Sequence, residues 1–466
     1  MAASVAALLA SLLAPLAAGL LLLRVAPLRP GDGPGPSALL RLPLALGLGL
    51  GLCSAMSFLT TIVLGLKPWV VLGSDALLLV VMFVLSRAGA APTPPATPVP
   101  TPTAGGRARL LWRASAAILA ALGAVGAVAT AIARPHGDGD AIGIWNMRAH
   151  FLDQAWGQWN VVFWEGGLAH VDYPLAVPML VVRAWTYAGT QTALVPAAIG
   201  LLFTALTALA LGAAVARRRG PGVAALAVVA LLGSPFFVAQ GALQTADIPM
   251  AFFLLAAVLA AVSGAPGLAA CGAALAAWTK NEGALCAGAL AFVYAPLVLR
   301  RPRALLAVAL GAALPVAALV VFKVWLAPSN DLAAVQTFAE LWARATDGAR
   351  YQQVAGAFLD RLVRLSAEGE YGGCGFAALA GYAVLAGRER GWPVPVRPLL
   401  ALALVGLAYA AIFVLITPYN LDWHLRTASG RLLLQLWPAT LLLAFMTLRV
   451  PGGAPPPRPV SLRGEG

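Results

Sequence analysis

RARLLWRASAAILAALGAVGAVATAIARPHGDGD, from Arg107 to Asp140, carries the pattern on which the fold turns. Arg107, Arg109 and Arg113 come first. A run from Ala114 to Ala133 follows without one charged side chain, and then Arg134, His136, Asp138 and Asp140. About 20 apolar residues in helical form cross the roughly 30 Å hydrocarbon core of a bilayer. Lys and Arg gather on the cytoplasmic flank of such spans. The stretch reads as one transmembrane helix with a basic inner end and an outer end that opens into carboxylates.

The pattern extends over the whole chain. Of its 466 residues, 61% are hydrophobic and 11% charged, and the mean hydropathy is +0.85. Globular proteins carry about 25% charged residues, so a soluble enzyme, a disordered chain and a secreted disulfide scaffold are excluded. Apolar runs of spanning length lie near 3–23, 42–65, 69–86, 112–133, 193–215, 222–240, 247–263, 267–279, 283–299, 304–326, 373–387, 398–417 and 431–448. They predict an all-α, polytopic transmembrane helix bundle of about 13 spans. The short runs 267–279 and 283–299 read as a broken pair. The first run has no basic n-region and reads as a retained span, not a cleaved signal. Cys53, Cys271, Cys286 and Cys374 show no C-x-x-C spacing and lie in or beside apolar runs, as small core hydrophobes do.

Charge sorts the connections between these runs. With the N-terminus outside and the spans alternating, the inner connections collect Arg24, Arg29 and Arg41; Arg87, Arg107, Arg109 and Arg113; and Arg217, Arg218 and Arg219. Further along they collect Arg300, Arg301 and Arg303; Arg388, Arg390 and Arg397; and Arg449, Arg458 and Arg463. Among acidic residues only Asp32, Glu389 and Glu465 join them. One more apolar run, 174–188, would move Arg217–Arg219 outward if it spanned, so it is predicted as an interfacial helix. The C-terminus is then cytoplasmic. The net charge of +13 becomes an orientation signal instead of a sign of nucleic acid. Four regions follow: N-terminal transmembrane helices (1–87), a Pro/Thr-rich cytoplasmic linker (88–109), a transmembrane core (110–450) and a cytoplasmic tail (451–466).

The other acidic residues, apart from Asp75 inside a span, and all the histidines fall on the outer side, chiefly in loops 134–172, 327–372 and 418–430. In the first loop Trp145, Ala149, Leu152, Trp156 and Trp159 recur at helical spacing, which predicts an amphipathic helix lying flat on the outer leaflet. Just ahead of it, Asp138 and Asp140 of GDGD suit a helix N-cap, a catalytic base, or both. HVDYP (His170–Pro174) suits a turn closed by Asp172. Asp247 in QTADIPMAFF opens an apolar run, where it could equally be a cap. Lys280 and Glu282 in WTKNEG lie inside an apolar stretch, where ionisable groups are costly and mark function. NLDWHLRTASGR adds Asp422, His424, Arg426 and Arg431, which alone would suit a solvated loop.

Taken in order, GDGDAIGIWNMRAHFL, HVDYPLAVP, ADIPMAFF, WTKNEG and LDWHLRTASGRLLLQLWP resemble the bacterial branch of the GT-C-fold membrane glycosyltransferases. These are relatives of protein O-mannosyltransferases and lipid A aminoarabinose transferases (glycosyltransferase family 39-like). The resemblance covers about residues 110–450 and leaves the first three spans without a role. It implies a GT-C-like core in the bacterial inner membrane. It also implies a polyprenyl-phosphate-linked sugar as donor, inversion at the sugar carbon, and an envelope glycan, lipid or protein as acceptor on the outer side. The acidic residue that activates the acceptor corresponds to Asp140, with Asp138 the near competitor, and the acidic residue opening a later span to Asp247. Members often carry a basic residue ahead of the prolines of the interfacial helix, facing the donor phosphate; this chain has Asp172 there. Lys280, His424, Arg426 and Arg431 are left to bind the phosphate, with Asp172 and Asp247 shaping the pocket and Glu282 a further substrate-binding candidate.

Glycosyl transfer needs a carboxylate to take the acceptor proton and positive charge to stabilise the departing phosphate. A lipid-linked donor explains why no Gly-rich phosphate loop follows a strand; the glycines of LGLGLGLC (Leu46–Cys53) are helix-packing residues. No cofactor is implied, although GDGD offers two carboxylates to a divalent metal. The rival reading is a transporter or lipid flippase, which would place polar groups near the bilayer midplane on broken helices of repeated halves. No repeat is visible, and Asp75 and the 267–299 break are its supports. A catalytically inactive member of the fold is opposed by the presence of both Asp138 and Asp140.

Overall fold

The computed structural model describes residues 2–28, 38–88, 106–154, 160, 163, 170–330, 337–366, 372–373, 375–389 and 394–450. Among them there is no β-strand, and one isolated bridge joins Arg388 to Leu448. The order begins with α1 (Ala2–Ala10), α2 (Leu13–Val25), α3 (Ala38–Leu64), α4 (Pro68–Ala88) and α5 (Gly106–Ala133). A π-helical turn (Ala141–Asn146) runs into α6 (Met147–Gln154), followed by α7 (Ala176–Ala188), α8 (Leu194–Arg219), α9 (Pro221–Leu232), α10 (Pro235–Ala242) and α11 (Asp247–Val262). Then come α12 (Pro266–Thr279), α13 (Asn281–Val298), α14 (Pro302–Trp325), α15 (Phe338–Thr346) and α16 (Gly348–Arg364). The order closes with α17 (Phe376–Ala386), α18 (Val396–Ala411), a second π segment (Ile412–Ile416) and α19 (Leu421–Thr447).

Each apolar run of the sequence becomes helix. Among the described residues nine helices are long and apolar enough to cross a membrane; α9 and α10, bent by 67° at their junction, together would make a tenth. Helices α11, α12 and α17 are apolar but shorter. By length and composition this is a helical membrane protein. Proline supplies several starts, at the first position of α9, α10, α12 and α14, where its missing N–H costs nothing.

Contacts separate two ends of the bundle. At one end Arg219 donates to the carbonyls of Met446 and Leu448 (3.1 and 3.0 Å), Arg218 to Val262 (3.1 Å) and Tyr382 to Arg449 (2.7 Å). The connections assigned inward by charge thus meet. The acidic loops meet at the opposite end. Helix α3 runs through the middle: a Cβ at Gly47 would lie 2.2 Å from the Phe252 ring, and one at Gly51 2.7 Å from Leu275.

Three expectations are revised. The 267–299 break is a hairpin: Lys280 alone is extended (φ −149°, ψ 156°), and α13 returns so closely that a Cβ at Gly283 would lie 1.9 Å from the Ala276 carbonyl oxygen. Helix α7, expected at the interface, is buried from Ala176 to Trp185. Its sequence is apolar all round, as an enclosed helix requires, and its one charge, Arg183, is paired inside the protein. The face of Trp145, Ala149 and Leu152, expected on lipid, is buried within the protein; Trp145 packs on Val177, Ala246 and Tyr173. Trp156, Trp159, residues 89–105 of the linker and the whole tail lie outside the described residues.

The amphipathic surface helices are instead α15 and α16 of the second outer loop, where Phe338 and Trp342 are 81% and 62% exposed. They dock through cations on a helix C-terminus, an arrangement the carbonyl dipoles favour. Arg344 donates to the carbonyls of Leu415, Ile416 and Thr417, and Arg350 to those of Phe413 and Val414.

Candidate active site

Helix starts and turns from four parts of the chain converge at the acidic end. Gly137 (φ +79°) lets the GDGD loop approach closely, since a Cβ there would lie 2.6 Å from the Leu243 carbonyl oxygen. Asp138 then accepts from the Ala141 amide at 3.0 Å and caps the π-helical turn. Burial holds the Asp138 carboxyl above the usual carboxylate range, with the Ala141 hydrogen bond opposing the shift. Asp140, further out, is paired with Arg431 of α19.

Arg431 also lies in the field of Asp247. Asp247 opens α11, is 1% exposed, and accepts from Gln435 Nε2 at 2.6 Å and Lys280 Nζ at 2.9 Å. Lys280 in turn lies 3.2 Å from Glu282 and 5.6 Å from the centroid of the Tyr173 ring. The charges form a ladder of alternating sign: Asp140, Arg431, Asp247, Lys280, Glu282. Tyr173 closes it by donating to Glu282 Oε1 at 3.4 Å.

Tyr173 belongs to the HVDYP turn, which is held under strain. His170 has φ +51°, a costly conformation for a residue with a side chain and common at functional sites. Arg148 of α6, fully buried, donates to the carbonyls of His170 and Tyr173 and fixes that turn. Burial draws the Arg148 guanidinium down to about 10 and pushes the Tyr173 phenol well above its ordinary value. Trp145, Tyr173 and His170 stack in sequence, with centroids 5.6 and 5.2 Å apart.

Asp172 does not meet the ladder directly. Its Oδ2 accepts from Asn281 and Asn330, each at 2.7 Å, and Lys323 of α14 lies 3.5 Å away. Asn281 sits between Lys280 and Glu282, so the two groups share the α12–α13 turn. His424 lies on the ladder's face of α19, because His424, Arg431 and Gln435 are spaced by seven and four residues. It shares a 2.6 Å hydrogen bond with Thr417 and packs on Phe413 and Tyr419. Arg426 lies off that face, 47% exposed and paired with Asp422 at 2.6 Å.

Sequence reasoning missed Gln435, Asn281, Asn330, Lys323, Arg148 and Tyr173. Gln435 and Lys323 left a signal: one is a polar residue one turn past Arg431 inside an apolar run, the other a charge inside the run 304–326. Among the described residues no group of three His, Cys, Asp or Glu side chains could hold a metal ion. The carboxylates of GDGD are engaged separately, one on an amide and one on a guanidinium. A cavity of about 430 Å³, lined by Trp112, Gly233, Tyr382 and Trp437 among others, is apolar and apart from this site.

No protein family, no curated protein and no solved structure matches the chain.

Proposed function

We propose that the protein is a membrane glycosyltransferase of GT-C-like fold with thirteen spans, its acidic end outside and its C-terminus in the cytoplasm. It moves a sugar from a polyprenyl-phosphate donor to an envelope glycan, lipid or protein at the outer face of a bacterial inner membrane, with inversion. The observation that carries the reading is the convergence of Asp140, Asp247, Lys280, Glu282 and Arg431 at one end of an apolar bundle. Charges of both signs there suit a phosphate leaving group and a proton acceptor.

In this mechanism Asp140 takes the acceptor proton. At rest its carboxylate is occupied by Arg431. A donor phosphate competes for the guanidinium, whose Nε is buried without a hydrogen-bond partner. As Arg431 turns to the phosphate, the Asp140 carboxylate is freed for the acceptor hydroxyl, and the same guanidinium stabilises the charge on the departing oxygen. Asp247, Lys280 and Glu282 hold Arg431 and the pocket wall in place, with Asp138 alongside as the alternative base.

Reconstituted protein supplied with a polyprenyl-phosphate hexose and an envelope acceptor fraction tests this. Transfer by the wild type and its loss in Asp140→Asn are expected. Undiminished transfer by Asp140→Asn removes Asp140 as the base. Lipid movement across the vesicle without any transfer favours the flippase reading.

A further inference from the structure

The first 88 residues have no counterpart in the resemblance, yet buried polar side chains tie them to both walls of the site. On α4, Asp75 is 3% exposed. Its Oδ1 accepts from Arg183 Nε at 2.9 Å, and its Oδ2 accepts from Arg183 Nη2 at 2.6 Å and Tyr187 Oη at 2.8 Å. The guanidinium also lies over the Tyr187 ring, 5.0 Å from its centroid. Arg183 and Tyr187 are both on α7. Such a pair is expensive to bury among apolar helices and is stable only in a satisfied, fixed geometry.

A second tie is independent of the first. Ser54 of α3 donates to the carbonyl of Ala176, the first residue of α7, at 2.9 Å, and accepts from Trp278 Nε1 at 3.1 Å. Trp278 lies two residues before Lys280. The N-terminal helices therefore hold α7 at both ends and α12 at its last turn. The segments just beyond these holds are His170–Tyr173 and Lys280–Glu282, which face each other through the Lys280–Tyr173 and Asn281–Asp172 contacts.

We infer that α3 and α4 are a brace for the site: Asp75 and Ser54 position α7 and α12 so that Asp172 and Tyr173 meet Asn281 and Lys280. Both are positioning residues, since neither belongs to the charge ladder. The inference is separate from the transferase reading and stands or falls on geometry.

Hydrogen exchange on the full chain in nanodiscs, read by mass spectrometry, tests it. Asp75→Asn is expected to raise exchange at 170–176 and 278–283 by about tenfold through local opening, with the middle of α19 unchanged. The swap Asp75→Arg with Arg183→Asp is expected to restore protection. Tyr187→Phe, which removes one hydrogen bond from the same carboxylate, gives a smaller rise at the same segments if Asp75→Asn does not accumulate. Unchanged exchange at 170–176 in these variants, a rise shared equally by α19, or a swap that restores nothing overturns the brace.

Discussion

Lys280→Met is the sharpest perturbation of the charge ladder. Lys280 is 5% exposed and is the direct partner of both Asp247 (2.9 Å) and Glu282 (3.2 Å). Its loss leaves two carboxylates facing each other in a space closed to water. Removing one member of a buried pair costs about 3–5 kcal/mol. The lower end applies here, because Asp247 keeps the Gln435 hydrogen bond and the field of Arg431, and Glu282 keeps Tyr173. The expected loss is about 3 kcal/mol. Asp247→Asn alone is expected to cost about 2 kcal/mol, because Lys280 retains Glu282 and the new amide oxygen still accepts from Gln435. The double variant has no uncompensated charge on that rung, so it should cost about 2 kcal/mol less than the sum of the singles. Reversible unfolding in mixed micelles with rising SDS fraction measures all three. A Lys280→Met loss under about 0.5 kcal/mol, or strictly additive singles, would refute the ladder.

Arg426→Ala separates the two arginines of the last loop: its exposed pairing with Asp422 is worth well under 1 kcal/mol, so stability and turnover should stay at wild-type level, whereas Arg431→Ala abolishes turnover. Gly283→Ala drives a methyl into the Ala276 carbonyl and should destabilise by about 1–3 kcal/mol in the same unfolding assay. Asp138 has its pKa raised by burial, so its contribution to stability is full below the unfolded value of about 4 and is lost as the pH rises through the folded value. Asp138→Asn, whose oxygen can still cap Ala141, should therefore flatten the fall of the melting temperature above pH 4, as measured by differential scanning fluorimetry.

Periodicity and charge sorting made most of the helices legible, because hydropathy reports burial in lipid or protein alike. The same ambiguity produced the error at α7. AVPMLVVRAWTYA is apolar all round, and the sorting of Arg217–Arg219 to the inner side ruled out a span and left the membrane surface as its place. The deciding fact is Asp75, more than 100 positions away in sequence, which neutralises Arg183 inside the protein. The Trp145–Leu152 face failed for a related reason: an amphipathic stripe states that one side is covered, without naming lipid or helix as the cover. Helices α15 and α16 escaped notice because their docking runs through backbone carbonyls at 413–417, and carbonyls carry no residue identity. At the site, Lys280 and Glu282 were visible as costly residues in an apolar stretch, whereas Asp140, Asp247 and Arg431 stood out only through the ordered series of motifs. Asn281 and Asn330, the amide partners of Asp172, became visible only once the hairpin at Lys280 and the end of α14 met the HVDYP turn.

The ladder's charge balance also decides which cation a phosphate can reach. Asp140, Arg431, Asp247, Lys280 and Glu282 alternate in sign and begin and end on a carboxylate, so at rest no cation in it is in excess. An anionic donor can enter only by exchange for one of these carboxylates. The Lys280–Asp247 rung has side chains 6% and 2% exposed, and opening it would strand both charges in a dry interior. The Arg431–Asp140 rung is 20% and 37% exposed, and the carboxylate it releases turns toward water. Exchange at Arg431 therefore costs less. On the transferase reading, the cation placed deepest in the apolar sequence, Lys280, holds the wall, and the arginine nearer the outer rim meets the phosphate. Binding and the freeing of the base then become one event, because the phosphate that draws Arg431 away leaves the Asp140 carboxylate open to the acceptor.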